Sequence, residues 1–148
     1  SRNRNIGRVI LKNLGNTSYM NSTLQCLSNT PDLTKYFLKS YFKNEINNAN
    51  YYGSKGQMSQ AYFDLINKLW NGNNESNEEI NTKDFRIAFC NLNKAFINQD
   101  YEQDPYEFMT FLLDNLHEDL NRISNKRYQT LEQSYDGSSL GRKRCESS

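Results

Sequence analysis

Residues 13–27 read Asn-Leu-Gly-Asn-Thr-Ser-Tyr-Met-Asn-Ser-Thr-Leu-Gln-Cys-Leu, and this stretch decides how the whole chain is interpreted. A turn-rich segment comes first, and Met20, Leu24 and Leu27 follow it at the i, i+4 and i+7 spacing of a helix with one buried face. An asparagine or threonine of the turn can cap such a helix. The pattern therefore predicts a helix over residues 18–28.

Ser18 falls in the first turn of this predicted helix, where free backbone N–H groups and the positive end of the helix dipole converge. A thiol at such a position has a lowered pKa and exists partly as thiolate. A serine hydroxyl is far less acidic and needs an adjacent base. The other interpretation is that Ser18 only helps to cap the helix, and the periodicity taken by itself favours that one.

Hydrophobic periodicity predicts four more helices further along the chain. Their starts carry recognisable signals, because Pro31 suits a first helical position and Thr82 and Asp104 are good caps. The four helices are expected over residues 31–42, 58–70, 82–92 and 104–123.

Two polar stretches separate these helices. Residues 43–57 are rich in asparagine and glycine and are expected to form a loop. Residues 71–81 lack periodicity and are expected to be a mobile insertion. No repeat and no convincing sheet is found, so the expected fold class is mainly α.

The composition fits one domain without a strongly charged partner. The 148 residues carry 18 basic and 17 acidic side chains, which argues against a general nucleic-acid binder or a protein that binds anionic membranes. No apolar run approaches the roughly 18 residues of a membrane span. Ten tyrosines, eight phenylalanines and one tryptophan can still fill a modest core.

Cysteine usage argues for a reduced protein inside the cell, in the cytoplasm, the nucleus or both. Cys26, Cys90 and Cys145 are odd in number and far apart, and none is part of a C-x-x-C motif. Neither a disulfide-stapled scaffold nor a zinc site is expected from this chain, and no cofactor is indicated. Cys26 is expected to be a small buried side chain on the packed face of the first helix.

A second block, Gln103-Asp104-Pro105-Tyr106-Glu107-Phe108, precedes the last predicted helix. An aspartate at the cap, a proline at the first helical position and an acid at the third form a favourable capping arrangement. Acidic side chains are also concentrated around this block. They are Asp100, Glu102, Asp104 and Glu107.

The two blocks together closely resemble the ubiquitin-specific proteases, which are papain-like cysteine peptidases also called ubiquitin carboxyl-terminal hydrolases. Residues 13–27 are similar to the family's cysteine box, and residues 103–121 to its Gln-Asp box and the helix behind it. The resemblance covers roughly residues 7–127. It implies that residues 1–127 are the helical thumb subdomain of an α+β peptidase domain. Residues 128–148 are rich in serine, glycine and charge and show no helix or strand signal, so a loop or disordered tail is expected there.

The resemblance implies roles for five residues. Ser18 stands where the family has its nucleophilic cysteine, and Asn13 matches the asparagine that donates to the oxyanion. Gln103, Asp104 and Glu107 match positions that contact the C-terminal tail of ubiquitin. That tail is rich in arginine, so an acidic cluster suits it. Capping explains Asp104 about as well as this contact does, and for Glu107 both interpretations stay open.

Some features of the family are altered or missing. Glu102 stands where glutamine is usual, and Pro105 and Tyr106 after the aspartate also depart from the pattern. The family's catalytic histidine belongs to a downstream box that these residues do not include. His117, the only histidine of the chain, is therefore expected to be an ordinary residue on a helix surface.

These features predict a piece of a deubiquitinating thiol hydrolase, which cleaves (iso)peptide bonds after the C-terminal glycine of ubiquitin. Its expected partners are ubiquitin or ubiquitin conjugates, with no nucleic acid and no membrane. The chain itself is expected to be inactive, because Ser18 replaces the cysteine and the histidine box is absent. A piece of a domain also exposes surface meant for the rest of it, so self-association is expected.

Three other interpretations stay open at this point. A natural pseudoenzyme that binds ubiquitin without hydrolysis would explain Ser18 in otherwise intact surroundings. A helical interaction domain unrelated to ubiquitin would make the motif similarity accidental. A serine hydrolase comes last, because no candidate base accompanies Ser18.

Overall fold

A computed structural model of the chain describes residues 9–72 and 79–122. Five α-helices dominate these ranges, so the expected mainly α class is confirmed. The expected tail at 128–148 and most of the expected insertion at 71–81 lie outside the described residues. The elements in chain order are β1 (Ile10–Leu11), α1 (Ser18–Ser28), α2 (Pro31–Leu38), α3 (Gln57–Asn71), β2 (Glu79–Ile80), α4 (Lys83–Leu92) and α5 (Pro105–Leu120).

The helices pack around a core of aromatic and aliphatic side chains. α1 contacts α2 and α5, and α3 contacts α2, α4 and α5. Phe89, Phe96 and Phe108 are almost completely buried, and the ring centroid of Phe89 lies 4.7 Å from that of Phe108 and 5.1 Å from that of Phe96. These edge-to-face contacts pack α4 against α5. α1 packs against the same aromatic cluster, because the ring centroid of Tyr19 lies 5.7 Å from that of Phe108.

Helix α2 is shorter than expected. It ends at Leu38, and Ser40 takes a left-handed conformation with φ of 60°, which stops the helix. A single 3-10 turn over Tyr41–Asn44 follows. In a continuous helix Phe42 would lie about 140° around the axis from Phe37, away from the core. The turn instead buries Phe42 completely, with its ring 5.1 Å from that of Phe37.

A very small parallel sheet is present where no sheet was expected. β1 and β2 pair with Ile10 opposite Glu79 and Leu11 opposite Ile80, and Lys12 N donates to the Ile80 carbonyl at 2.9 Å. Two residues per strand are too few to leave an alternating hydrophobic pattern, so the prediction failed here.

Side chains of α1 hold β1 in place. Asn21 Nδ2 donates to the carbonyl of Lys12 at 3.1 Å, and Gln25 Nε2 donates to the carbonyl of Val9 at 2.8 Å. Backbone carbonyls on either side of the strand thereby find side-chain partners. The strand leading into the turn before α1 is fixed to the helix that follows the turn.

A buried carboxylate orders the loop before α3. Asp119, near the end of α5, has no exposed surface, and it accepts from Ser54 N at 2.6 Å and from Ser54 Oγ at 2.7 Å. Ser59 Oγ also donates to it, at 3.3 Å. A Cβ on Gly53 would come within 3.2 Å of the Glu118 carbonyl, so glycine allows the close approach. The stretch expected to be a loop is therefore anchored to α5.

Candidate active site

The turn that precedes α1 is closed by its own side chains. Asn13 Oδ1 accepts from Gly15 N at 2.9 Å and from Thr17 Oγ1 at 3.1 Å, while Thr17 Oγ1 accepts from Leu14 N at 2.9 Å. Thr17 is completely buried, and its side chain makes no hydrogen bond to the N-terminus of α1, although it occupies the cap position. The threonine thus fixes the turn, and the first N–H groups of α1 are left without a side-chain cap.

Two consecutive residues of this turn have left-handed backbones. Gly15 has φ of 90° and Asn16 has φ of 50°. A Cβ on Gly15 would meet nothing within 4 Å, so the glycine is required by its backbone conformation and not by space. Asparagine is among the few other residues that tolerate this conformation.

Ser18 is the first residue of α1, as predicted, and its side chain is exposed. Within residues 9–72 and 79–122, no side chain hydrogen-bonds to its hydroxyl. The positive end of the α1 dipole lies at this residue. The position therefore favours an anion, but no base among the described residues is hydrogen-bonded to the serine to activate it.

Asn13 is exposed at the start of the same turn. Its side-chain oxygen is used inside the turn, by Gly15 and Thr17. Its amide nitrogen has no hydrogen-bond partner in the described part of the chain. The fixed oxygen orients the amide and leaves the N–H₂ group as the donor for a ligand.

The acidic block, by which we mean residues 100–107, follows a residue that contacts this turn. Asn16 Nδ2 donates to the Gln99 carbonyl at 2.7 Å. Tyr19, the residue after Ser18, is buried, and burial raises the pKa of its hydroxyl, with a smaller rise caused by the negative charge of Glu102. The sequence placed the two blocks 80 to 90 positions apart, and the fold brings them together.

The expected capping arrangement is present at the start of α5. Asp104 Oδ1 accepts from Tyr106 N at 2.9 Å, and Pro105 is the first helical residue. Glu107 lies in the first turn, and both its side chain and that of Asp104 are exposed. Capping therefore uses one carboxylate oxygen of Asp104, and Glu107 makes no capping hydrogen bond.

Gln103 is half-buried beside them, and its Nε2 is buried without a hydrogen-bond partner among the described residues. A buried donor left unpaired costs about 1–3 kcal/mol. The contact of Gln103 with the ubiquitin tail stays a prediction. The same holds for the roles assigned to Ser18, Asn13, Asp104 and Glu107.

His117 is not brought to Ser18. It is exposed on α5, as expected, nine residues after Phe108. That separation is about 14 Å along the helix axis. Since Tyr19 contacts α5 at the level of Phe108, the histidine lies well away from the turn.

The expectation for Cys26 was wrong. Its side chain is exposed, because the buried stripe of α1 runs through Leu24 and Leu27 and leaves Cys26 on another face. Cys90 is buried in α4, its thiol lies 3.5 Å from the Phe96 carbonyl, and burial raises the pKa of that thiol. Neither thiol belongs to the turn before α1.

No sequence pattern pointed to Arg86, on α4. Its Nη2 donates to the carbonyls of Phe96 and Ile97 at 3.3 and 3.2 Å. With its amide oxygen facing the guanidinium, Gln99 accepts from Nη1 and Nη2, each at 3.0 Å. A single cation in an amphipathic helix is usually solvated, so periodicity could not mark it.

No three histidine, cysteine, aspartate or glutamate side chains among the described residues are grouped to hold a metal ion. Over those residues, no helix combines the length and the apolar character needed to cross a bilayer.

Comparison with known proteins gives a consistent result. The family model described as ubiquitin carboxyl-terminal hydrolase matches residues 9–148. Ubiquitin carboxyl-terminal hydrolase 4 of Bos taurus is 45% identical over 121 residues, which are 82% of this chain and 12% of that protein. Ubiquitin carboxyl-terminal hydrolase 32 of Homo sapiens is 41% identical over 128 residues, which are 86% of this chain and 8% of that protein. The chain thus spans 12% or less of the length of these relatives.

A solved structure shares the fold. A chain of a SAGA DUB module bound to monoubiquitin matches with a TM-score of 0.64 and 22% identity, over 85% of this chain and 28% of that chain. At this level of identity the likeness concerns the fold. It agrees with the helical arrangement that the two sequence blocks implied.

Proposed function

The chain belongs to the ubiquitin carboxyl-terminal hydrolase family, and we propose that it is the part of a deubiquitinating thiol hydrolase that presents the nucleophile. The reaction is hydrolysis of the (iso)peptide bond after the C-terminal glycine of ubiquitin. The observation that carries the proposal is the contact between Asn16 and Gln99, which sets the turn at Ser18 beside the acidic block.

Residue 18 is the proposed point of attack on the scissile carbonyl. A cysteine at the first position of α1 would be stabilised as thiolate by the helix dipole and the uncapped N–H groups. Ser18 gains far less, because its hydroxyl stays protonated without a base. We therefore expect the chain with Ser18 to be inactive.

Asn13 is the proposed oxyanion donor. Attack on a carbonyl places negative charge on its oxygen, and a pre-oriented N–H group lowers the energy of that state. The turn holds Asn13 by its side-chain oxygen, at 2.9 Å from Gly15 N, so that the amide needs no reorganisation to donate. The general base is the part of the mechanism that these residues do not supply, since His117 is remote from the turn.

The acidic block is the proposed contact surface for the basic tail of ubiquitin. The side chains of Asp104 and Glu107 are exposed at the start of α5 and can pair with arginine. The unpaired Nε2 of Gln103 would donate a hydrogen bond to a peptide carbonyl laid across the block. Ubiquitin and ubiquitin conjugates are therefore the proposed partners.

One other function is favoured by a specific observation. Ser18 directly follows a turn that is closed by hydrogen bonds from Leu14 N to Thr17 Oγ1 and from Thr17 Oγ1 to Asn13 Oδ1. A natural pseudoenzyme would keep such a turn as part of a ubiquitin-binding module while losing hydrolysis.

The deciding experiment restores the thiol. Ser18→Cys in the full-length parent protein is tested with a reporter that carries a fluorophore on the C-terminus of ubiquitin, and Ser18→Ala serves as the matched control. Release of the fluorophore by the cysteine variant alone supports the hydrolase. Saturable binding of ubiquitin with no release supports the pseudoenzyme. Absence of both binding and release would overturn both functions and leave an unrelated helical interaction domain.

A further inference from the structure

We propose that Arg86 is a positioning residue for the reaction at residue 18, because it fixes the segment over residues 96–99 to which the nucleophile turn is tied. The inference rests on the proposed function and adds a residue to it. Arg86 touches neither the turn nor the acidic block directly through a hydrogen bond. Its effect is transmitted by Gln99 and Asn16.

The first step is the set of hydrogen bonds that the guanidinium donates to the segment. Arg86 Nη2 donates to the Phe96 carbonyl at 3.3 Å and to the Ile97 carbonyl at 3.2 Å. When the Gln99 amide is oriented with its oxygen towards the guanidinium, that oxygen accepts from Arg86 at 3.0 Å as well. The segment begins at the last residue of a 3-10 turn over Lys94–Phe96 and has no β-partner in the described ranges. The planar guanidinium of one arginine therefore supplies hydrogen bonds that a paired β-strand would otherwise supply to this segment.

The second step leads from the segment to the turn. The carbonyl of Gln99 accepts from Asn16 Nδ2 at 2.7 Å, and Asn16 is two residues before Ser18. Asn16 also has a left-handed backbone, with φ of 50°, which an asparagine adopts at some cost in energy. A firm partner for its side chain favours that conformation over the alternatives.

A second route from Arg86 reaches the same helix turn. The charge of Arg86 lowers the pKa of the Tyr19 hydroxyl, opposing the rise that burial causes, so the guanidinium lies within electrostatic reach of the residue after Ser18. The Tyr19 ring also contacts Phe96 at 6.3 Å. Residues on both sides of Ser18 are thus connected to Arg86.

Lysine cannot form the same set of hydrogen bonds at this position. A lysine keeps the positive charge but offers one compact ammonium group, whereas arginine offers several donors in a fixed plane. Arg86→Lys therefore separates the charge of the side chain from its geometry. Lys83→Met is the matched control, because it removes an exposed cation from the same helix.

The first test uses the 148-residue chain and needs no activity. In ¹⁵N-labelled protein, the side-chain N–H₂ resonances of Asn16 report its bond to Gln99. We expect them to move in Arg86→Lys and to stay in Lys83→Met. Unchanged Asn16 resonances in a folded Arg86→Lys variant would overturn the proposal, whatever the parent protein catalyses.

The second test uses the full-length parent with Ser18→Cys and the ubiquitin reporter. A misplaced nucleophile lowers the rate of the chemical step. We therefore expect Arg86→Lys to reduce kcat by about ten- to hundredfold with a small change in KM. A purely structural role predicts a lower melting temperature with kcat unchanged for the folded fraction, and that result would refute positioning.

The link through Asn16 is tested in the same background. Asn16→Asp removes the donor to Gln99 but keeps a residue that tolerates the left-handed backbone. If Arg86 acts through this bond, the double variant loses less activity than the product of the two single losses. Strictly multiplicative losses would contradict the proposed route. If the parent with Ser18→Cys alone shows no activity, the proposed function fails, and the NMR test still decides the contact.

Discussion

Asp119 accepts hydrogen bonds from both the N–H and the hydroxyl of Ser54, a residue 65 positions earlier in the chain. The carboxylate is completely buried, and Ser59 donates to it as well. A buried carboxylate of this kind is tolerable only while every partner is in place. It makes the end of α5 the anchor of the loop before α3.

Replacing Asp119 should therefore destabilise the fold. Asp119→Asn keeps the shape but turns one acceptor into a donor that faces Ser54, so we expect the free energy of unfolding to fall by about 2–3 kcal/mol. Urea denaturation of the chain measures this. Asp114→Asn, an exposed aspartate of the same helix, is the control and should change stability by less than about 0.5 kcal/mol.

The single tryptophan reports a contact between α1 and α3. Trp70 Nε1 donates to Ser28 Oγ at 2.8 Å, and Ser28 is completely buried. Ser28→Ala removes the acceptor, so we expect a loss of about 1 kcal/mol in unfolding free energy and a change in the emission maximum of Trp70. Ser22→Ala, at an exposed serine of α1, should leave the emission unchanged.

Two glycines with similar backbones should respond differently to alanine. Gly56 has φ of 86°, and a Cβ there would lie 2.7 Å from Ile46 Cδ1, whereas Gly15 has φ of 90° and open space. Gly15→Ala should cost only the strain of a left-handed alanine, about 1–2 kcal/mol. Gly56→Ala adds a steric clash and should cost more. Equal losses in thermal denaturation would contradict the steric argument.

Stability should decrease at alkaline pH because of Tyr36. Burial and a hydrogen bond to Glu45 raise the pKa of Tyr36 from 10.0 to about 12. The neutral hydroxyl is thus favoured in the folded state, so its stabilisation is complete below pH 10 and is lost as the pH rises towards 12. Tyr36→Phe should flatten this part of the stability profile. Glu45→Gln removes a carboxylate that opposes ionisation, so the loss should still begin near pH 10 but be smaller and end at a lower pH.

The acidic block should determine affinity for ubiquitin. Glu107→Lys reverses a charge that plays no part in the cap of α5, so we expect ubiquitin binding to weaken about tenfold at low salt and less at high salt. Heteronuclear NMR titration measures the affinity. Asp114→Lys, further along α5, makes the same change in net charge. This variant should bind ubiquitin as tightly as the unsubstituted chain. Equal weakening by both variants would point to a general charge effect.

Local signals explain what could be predicted. The stripe through Met20, Leu24 and Leu27 placed α1 at the residues it occupies, because amphipathic periodicity lies within the helix itself. The Asp104 cap and Pro105 were equally readable, since a cap concerns adjacent residues. The family resemblance then linked both blocks to one site.

Contacts between distant residues could not be predicted in this way. The pairing of β1 with β2 and the burial of Asp119 depend on partners far away in sequence, and single polar residues carry no periodic signal. The expectation for Cys26 failed for a different reason. Cys26 was assigned to the packed side of α1, yet it lies two residues, about 200°, from Leu24, on the opposite side of the helix.

The bond between Asn16 and Gln99 also concerns the order of events in folding. It closes a loop of 83 residues, and closing a loop of that length carries an entropic cost that local turns do not. The bond that holds the turn before Ser18 cannot form until the chain through residue 99 has been synthesised and has folded back onto α1. A nascent chain that has made only residues 13–27 lacks this bond, so the finished geometry at residue 18 requires most of the helices described above.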